Sequence, residues 1–213
     1  MYNVTRVVHF DAAAGDEDRV AYTKSLRVVT EGLGTLARVV APTLPGVING
    51  GDVLVHLRFP SEVDAEHRIA HLDTALAASD VARVDGVEYC ASAAQSREGT
   101  ARGVYRALLL RVDPDTPAEV IADFERDLLA MPRYIPAMAS WRLSRVARSV
   151  GSTAWSHVWE QEFTDHAALA GPYLDHPVHW SVVDRWFDPE CPEVIVRDRV
   201  CHTFCAVEEP IIT

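Results

Sequence analysis

Val104-Tyr105-Arg106-Ala107-Leu108-Leu109-Leu110-Arg111-Val112 (VYRALLLRV, residues 104–112) is the stretch that decides the fold. It is rich in aliphatic and β-branched residues and stops at Asp113-Pro114, so it reads as a strand. Apolar side chains fall on both of its faces, so both faces need cover. Just downstream, Thr116-Pro117-Ala118-Glu119 predicts a helix start, with Thr as N-cap, Pro in the first helical position and Glu closing a capping box. Val120, Ile121, Phe124, Leu128 and Met131 keep helical spacing until Pro132. SWRLSRVA (140–147) alternates in part, with Trp141 and Leu143 on one face and Arg145 where a third apolar residue is expected. Gly151-Ser152-Thr153 then turns into another strand, AWSHVWEQEF (154–163). The order β-α-β-β-α-β predicts an α+β fold: a ferredoxin-like unit with a four-stranded antiparallel sheet and helices on one face.

The same order recurs upstream at low identity. VTRVV (4–8) parallels VYRAL (104–108), and DVLVHLRF (52–59) parallels SHVWEQEF (156–163). Helix starts follow at Ser61 and Thr164, and VARVDGVEYCA (81–91) and EVIVRDRVCHTF (193–204) close the two halves. The first half is expected to hold a long helix from Asp16 to Val40, broken near Gly32 and Gly34, with its second strand squeezed into TLPGVINGGD (43–52). Asn49-Gly50-Gly51-Asp52 reads as a hairpin turn. Two tandem domains are therefore expected, residues 1–95 and 104–213, joined by a polar linker at 96–103. Two such sheets facing each other would bury the second face of VYRALLLRV. The result would be a barrel-like intramolecular pseudo-dimer, with further homo-oligomerisation left open.

The chain has 213 residues and a formal net charge of −11, and nearly half of it is apolar. A real core is expected, and clustered cations for a nucleic-acid partner are not. No run of about 18 apolar residues suggests a membrane span, and the first residues lack a secretory pattern, so a cytoplasmic protein is expected. Lys24 is the only lysine, which argues against Schiff-base chemistry. Cys201-His202-Thr203-Phe204-Cys205 invites a metal reading, but on a strand the two cysteines share one face and His202 takes the other. His67 and His71, at i and i+4 on a helix, lack a third ligand. No metal and no cofactor is expected.

GPYLDHPVHW (171–180) carries the densest chemistry: Tyr173, His176 and His179 around Pro177. Pro177 turns the chain and starts a helix, placing His179 in a first turn whose dipole favours neutral imidazole. Such a base near pH 7, beside a phenol, suits proton transfer next to a carbonyl. The strand SHVWEQEF followed by Tyr173-x-x-His176-Pro177-x-His179 resembles the stress-responsive dimeric α+β barrel (Dabb) family, well over about 104–205 and weakly over 4–93. That family includes plant stress proteins, a polyketide cyclase and a hydroxynitrile lyase, and related barrels include cofactor-free monooxygenases. The resemblance implies that Tyr173 and His179 are the catalytic pair, with His176 beside them. Where the cyclase has a histidine on its first strand, this chain has Arg106. The first half lacks the motif, so one family-type site is implied.

His157, Trp159 and Gln161 share one face of their strand, and the resemblance implies that this face lines the barrel interior as a pocket for an oxygenated aromatic molecule. Arg106 and Arg6, on equivalent strands, either each pair with a carboxylate across the domain interface, or Arg106 holds an anionic group of the substrate. Three functions follow. The first is a cofactor-free enzyme that abstracts a proton from a small aromatic or polyketide-like carbonyl substrate, for cyclisation, isomerisation or lyase chemistry. The second is a cofactor-free monooxygenase of a phenol or anthrone. The third is a non-catalytic stress or ligand-binding protein.

Overall fold

The computed structural model describes residues 1–213, apart from the side chains of Asp198 and Arg199 in the expected closing strand. The first half runs β1 (Tyr2–Phe10), α1 (Asp16–Glu31), β2 (Ala37–Pro42), β3 (Val53–Phe59), α2 (Glu62–Leu76) and β4 (Val81–Cys90). After a two-residue strand, β5 (Gln95–Ser96), the second half runs β6 (Val104–Val112), α3 (Ala118–Ala130), β7 (Met138–Arg145), β8 (Arg148–Val150) and β9 (His157–Phe163). A series of short helical turns between His166 and Trp186 follows, and β10 (Val196–Ala206) ends the sheet. Two antiparallel sheets result, ordered β2-β3-β1-β4-β8 and β10-β6-β9-β7-β5. Each half is a ferredoxin-like unit, and the two sheets face one another as an α+β barrel.

Burial follows from the sequence pattern. Strand β6 is buried on both faces: Tyr105, Ala107 and Leu109 meet Val7, Leu54 and Val87 of the first sheet, while Leu108 and Leu110 turn to the second half's helical layer. Each such aliphatic side chain stabilises by about 1.5–3 kcal/mol when fully buried. Helix α2 buries Ala65, Ile69, Leu72 and Leu76, spaced along one face, and Ser61 caps it by accepting the Asp64 N–H at 3.2 Å. Arg145 breaks the alternation of β7 because its exposed side chain pairs with Glu125 on α3 at 2.7 Å.

Four local expectations change. Helix α1 ends at Glu31 rather than Val40, and Val39 and Val40 lie on β2, where pairing with β3 suits their branched side chains. TLPGVINGGD is consequently the β2–β3 loop, and its Ile48 pairs with His202 of β10 instead of forming a hairpin strand. At α3 the N-cap position is Pro117 and no side-chain cap bond forms, because Thr116 turns back to Asp113 through its own N–H. The segment around 95–103 also pairs with a sheet, Gln95 opposite Trp141 and Ser96 opposite Ser140. In return β8 crosses to the first sheet, placing Arg148–Val150 beside Glu88–Gly86.

The space between the sheets is not wholly apolar. Glu160 accepts two bonds from Arg142, at 2.7 and 2.8 Å, and one from the Tyr105 hydroxyl at 2.9 Å. His56 of the first sheet places Nδ1 3.1 Å from that same hydroxyl and 3.0 Å from Thr5 Oγ1. Burial acts to raise the Glu160 carboxyl, but Arg142 outweighs it and holds it down at about 2. Burial pushes His56 down to about 4, so it stays neutral. Across the barrel this polar knot fixes how the sheets register, since a lone buried charge is costly.

Candidate active site

Arg106 stands in the middle of β6 on the side facing the second half's own helical turns, and it is 3% exposed. Its guanidinium donates to the Tyr173 hydroxyl at 2.8 Å and to Gln161 Oε1, and it lies 4.9 Å from the Tyr173 ring centroid. The pairing across the domain interface expected from the sequence does not describe Arg6. Arg6 pairs within its own half, with Glu88 at 2.5 Å and with Asp73 at 3.4 Å. For Arg106 no carboxylate partner is found among the described residues, and its Nε has no hydrogen-bond partner. A buried cation compensated only by neutral acceptors favours a negative charge next to it.

Tyr173 is brought there by the helical turns after β9. Asp165 caps their start, accepting the Ala168 N–H at 2.8 Å, and a wide turn at Leu169–Tyr173 accommodates Pro172. The chain reverses at His176, whose Nδ1 accepts the Val178 N–H at 3.1 Å and so caps the turn that Pro177 begins. His176 thereby points to Tyr134 (ring centroids 6.1 Å apart) rather than to Tyr173. His179 follows on the first turn of that segment, edge-on to Tyr173 with ring centroids 5.3 Å apart.

Asp184, a residue the sequence reading did not single out, lies 3.1 Å from His179 Nδ1. A carboxylate can only accept, so Nδ1 carries the proton and Nε2 is left as the basic nitrogen. Burial lowers the pKa of His179. Asp184 works against that shift and the Arg106 charge adds to it. The helix dipole invoked from sequence is thus not needed, because burial and a neighbouring cation keep the imidazole neutral.

His202 joins the group from β10, in register with Leu108 and one row along from Arg106. Burial first, then Arg106 and His179, push it down to about 2, and its Nε2 has no partner. Cys201 and Cys205 face the opposite way, into the space between the sheets. Strand alternation could have found His202, but its flanking cysteines drew attention to metal instead.

The row His157, Trp159, Gln161 does share one face, but that face looks toward the helical layer of its own half and not into the barrel between the sheets. Gln161 lies beside Arg106, and Trp159 is fully buried one row away with an unpartnered indole N–H. The structure does not bring His157 to this group: it sits beneath α3, 3.2 Å from Glu125 and 5.7 Å from the Phe124 ring. The first half contributes a wall. Leu44 and Val47 of the β2–β3 loop pack on the core of the second half, the Leu44 N–H donates to Phe204 O at 3.0 Å, and His166 reaches Pro45 O at 3.1 Å.

The unpartnered donors Arg106 Nε and Trp159 Nε1 and the unpartnered imidazole nitrogen His202 Nε2 thus occupy two adjacent rows of one sheet face, beside a neutral imidazole and a phenol. That set can hold an oxygenated molecule, take a proton from it and stabilise the oxyanion left behind.

The sequence signature of the Stress Responsive A/B Barrel Domain (Dabb) matches residues 104–201, the stretch that holds every side chain of this group except His202. No curated protein matches the chain. Among solved structures, an anthrone oxidase-like protein superposes with a TM-score of 0.72 at 11% identity, over 98% of this chain and 91% of that one. A mutant chlorite dismutase from Candidatus Nitrospira defluvii gives 0.58 at 9% identity, over 97% and 91%. A major regulator of staphylococcal pathogenesis gives 0.51 at 8%, over 95% and 96%. These likenesses are of fold, and functions so different on one fold mean that the site must argue for itself.

Proposed function

We propose that the second half is a small-molecule enzyme that abstracts a proton next to a carbonyl, working without a cofactor on an aromatic or polyketide-like substrate. His179 Nε2 is the base and Asp184 orients it through Nδ1. The enolate oxygen is received by the Tyr173 hydroxyl, which Arg106 polarises from behind. Gln161 and Trp159 hold the substrate, and His176 shapes the turn that aims the pair. Residues 104–213 carry the chemistry in this reading, and residues 1–95 complete the barrel as an intramolecular partner. The observation that carries it is the buried Arg106, bonded to Tyr173 and with no carboxylate partner among the described residues, alongside the His179–Asp184 pair.

Once formed, the carbanion attacks a second carbonyl in the same molecule (cyclisation), is reprotonated elsewhere (isomerisation) or expels a leaving group (lyase chemistry). A second reading starts from the same carbanion: it adds oxygen to give a hydroperoxide, which loses water to leave a new carbonyl. The name of the anthrone oxidase-like protein brings that reading forward.

Exchange of the acidic C–H of a phenolic 1,3-diketone with deuterium oxide, followed by NMR, tests the step common to both. His179→Phe should slow exchange by roughly 10²–10⁴-fold, the usual range for a general base. Exchange by the variant at the wild-type rate would remove His179 from the role. Oxygen uptake matching product formation would select the second reading. If no probe is exchanged while the same phenols raise the melting temperature, the pocket only binds.

A further inference from the structure

A groove of about 620 Å³ opens in the first half, along α1 and over the ends of β1–β3. It is not a decayed copy of the site above. The position equivalent to Arg106 is Arg6, further back along β1, and it is closed by ion pairs to Glu88 and Asp73. The floor of the groove is apolar, with buried Phe10 and Val53 and, on its flank, exposed Val20. Its rim carries Arg19, Lys24 and Arg27, three cations among ten lining residues in a chain that has only 20 in 213. The single acid, Asp52, is already engaged: it takes Arg19 at 2.8 Å and the Phe10 N–H at 2.8 Å. Arg27 donates its Nε to Val40 O at 2.9 Å, and it and Lys24 both line the groove. In a protein of net charge −11, an apolar trough with a net positive rim suits a small anion with an apolar body.

We propose that this groove is a second ligand site, distinct from the proton-transfer site, for an organic anion of the aryl or alkyl carboxylate class. The carboxylate meets Lys24 and Arg27 at the rim, and the hydrocarbon part lies over Phe10 and Val53. No His or phenol faces the bound carboxylate from the groove's other lining residues (Thr23, Pro42 and Thr43), so the site binds without transforming its ligand.

Backbone-amide NMR titration of the intact protein with 2-naphthoate tests this. The amides of Val20, Thr23, Lys24 and Arg27 should shift and saturate. Lys24→Glu/Arg27→Glu, both on the exposed side of α1, should raise the dissociation constant at least tenfold. Naphthalene-2-methanol, which lacks the charge, should bind several-fold more weakly than the acid. The proposal is overturned if shifts stay confined to the second half, if the double variant binds as wild type does, or if inorganic phosphate reproduces the same shifts. Sedimentation of the same samples closes the remaining route: a ligand-independent dimer that the double variant breaks would make the groove a contact between copies, and would equally overturn it.

Discussion

Acid should loosen this fold before its carboxylates are titrated, and two buried imidazoles set the size of the effect. His202 is held at about 2 and His56 at about 4, both by burial. An imidazole in the unfolded chain titrates near about 6.5. Below that value the unfolded state binds protons that the folded state refuses, so stability falls as pH falls. At pH 5.0 the unfolded imidazole is about 1.5 pH units onto its charged side, and at roughly 1.4 kcal/mol per unit each histidine contributes a loss of about 2 kcal/mol. The pair together should make the protein about 4 kcal/mol less stable at pH 5.0 than at pH 7.5, a large share of a typical 5–15 kcal/mol. Urea unfolding followed by tryptophan fluorescence at both pH values reads this directly. His202→Phe keeps the tilted ring contact with Phe204 and has no Nε2 partner to lose, so its own pH-dependent loss should be smaller by about 2 kcal/mol than that of the wild type. Equal losses in the two proteins would show that His202 is protonated in the folded state, and the account of a neutral, buried site beside Arg106 would fall with it.

Glu160→Gln leaves Arg142 buried without its carboxylate and should cost about 3–5 kcal/mol in the same assay, part of it recovered when Arg142→Met is added. Asp184→Asn keeps the shape but no longer fixes the His179 tautomer; deuterium exchange should slow by up to about 100-fold with little change in KM, less than removing the base itself. Gly50→Ala would place a methyl group against His202 O and the Val47 side chain, and should destabilise by about 1–3 kcal/mol in urea unfolding.

Periodicity made much of this architecture legible. VYRALLLRV demanded cover on both faces and received it, from a second sheet on one side and helical turns on the other. The misread elements were those whose strand partners lie outside their own local stretch. Val39 and Val40 are a plausible helix end until β3 is there to pair with them. Arg148–Val150 is too short to show alternation, and only the free edge of β4 makes it a strand. In the candidate site, Tyr173 and His179 could be picked from the compact Y-x-x-H-P-x-H stretch. Asp184 was hidden because nothing in a sequence says which of many acids will fold back onto a particular imidazole. His157 looked equivalent to Gln161 because both share a strand face, yet four residues along a strand separate the neighbour of Arg106 from the underside of α3.

The crossing of β8 and of the β2–β3 loop also has a consequence for how the chain is made. The outer edge of β4 finds its partner only when residues 148–150 have been synthesised, and Ile48 waits for His202. During translation the first half therefore leaves the ribosome with an unpaired strand edge and an uncovered sheet face. At synthesis rates of about 5–20 residues per second, some 60 further residues leave that edge open for several seconds. Pairing of residues 148–150 with β4, rather than completion of the first half, is the event that closes that edge.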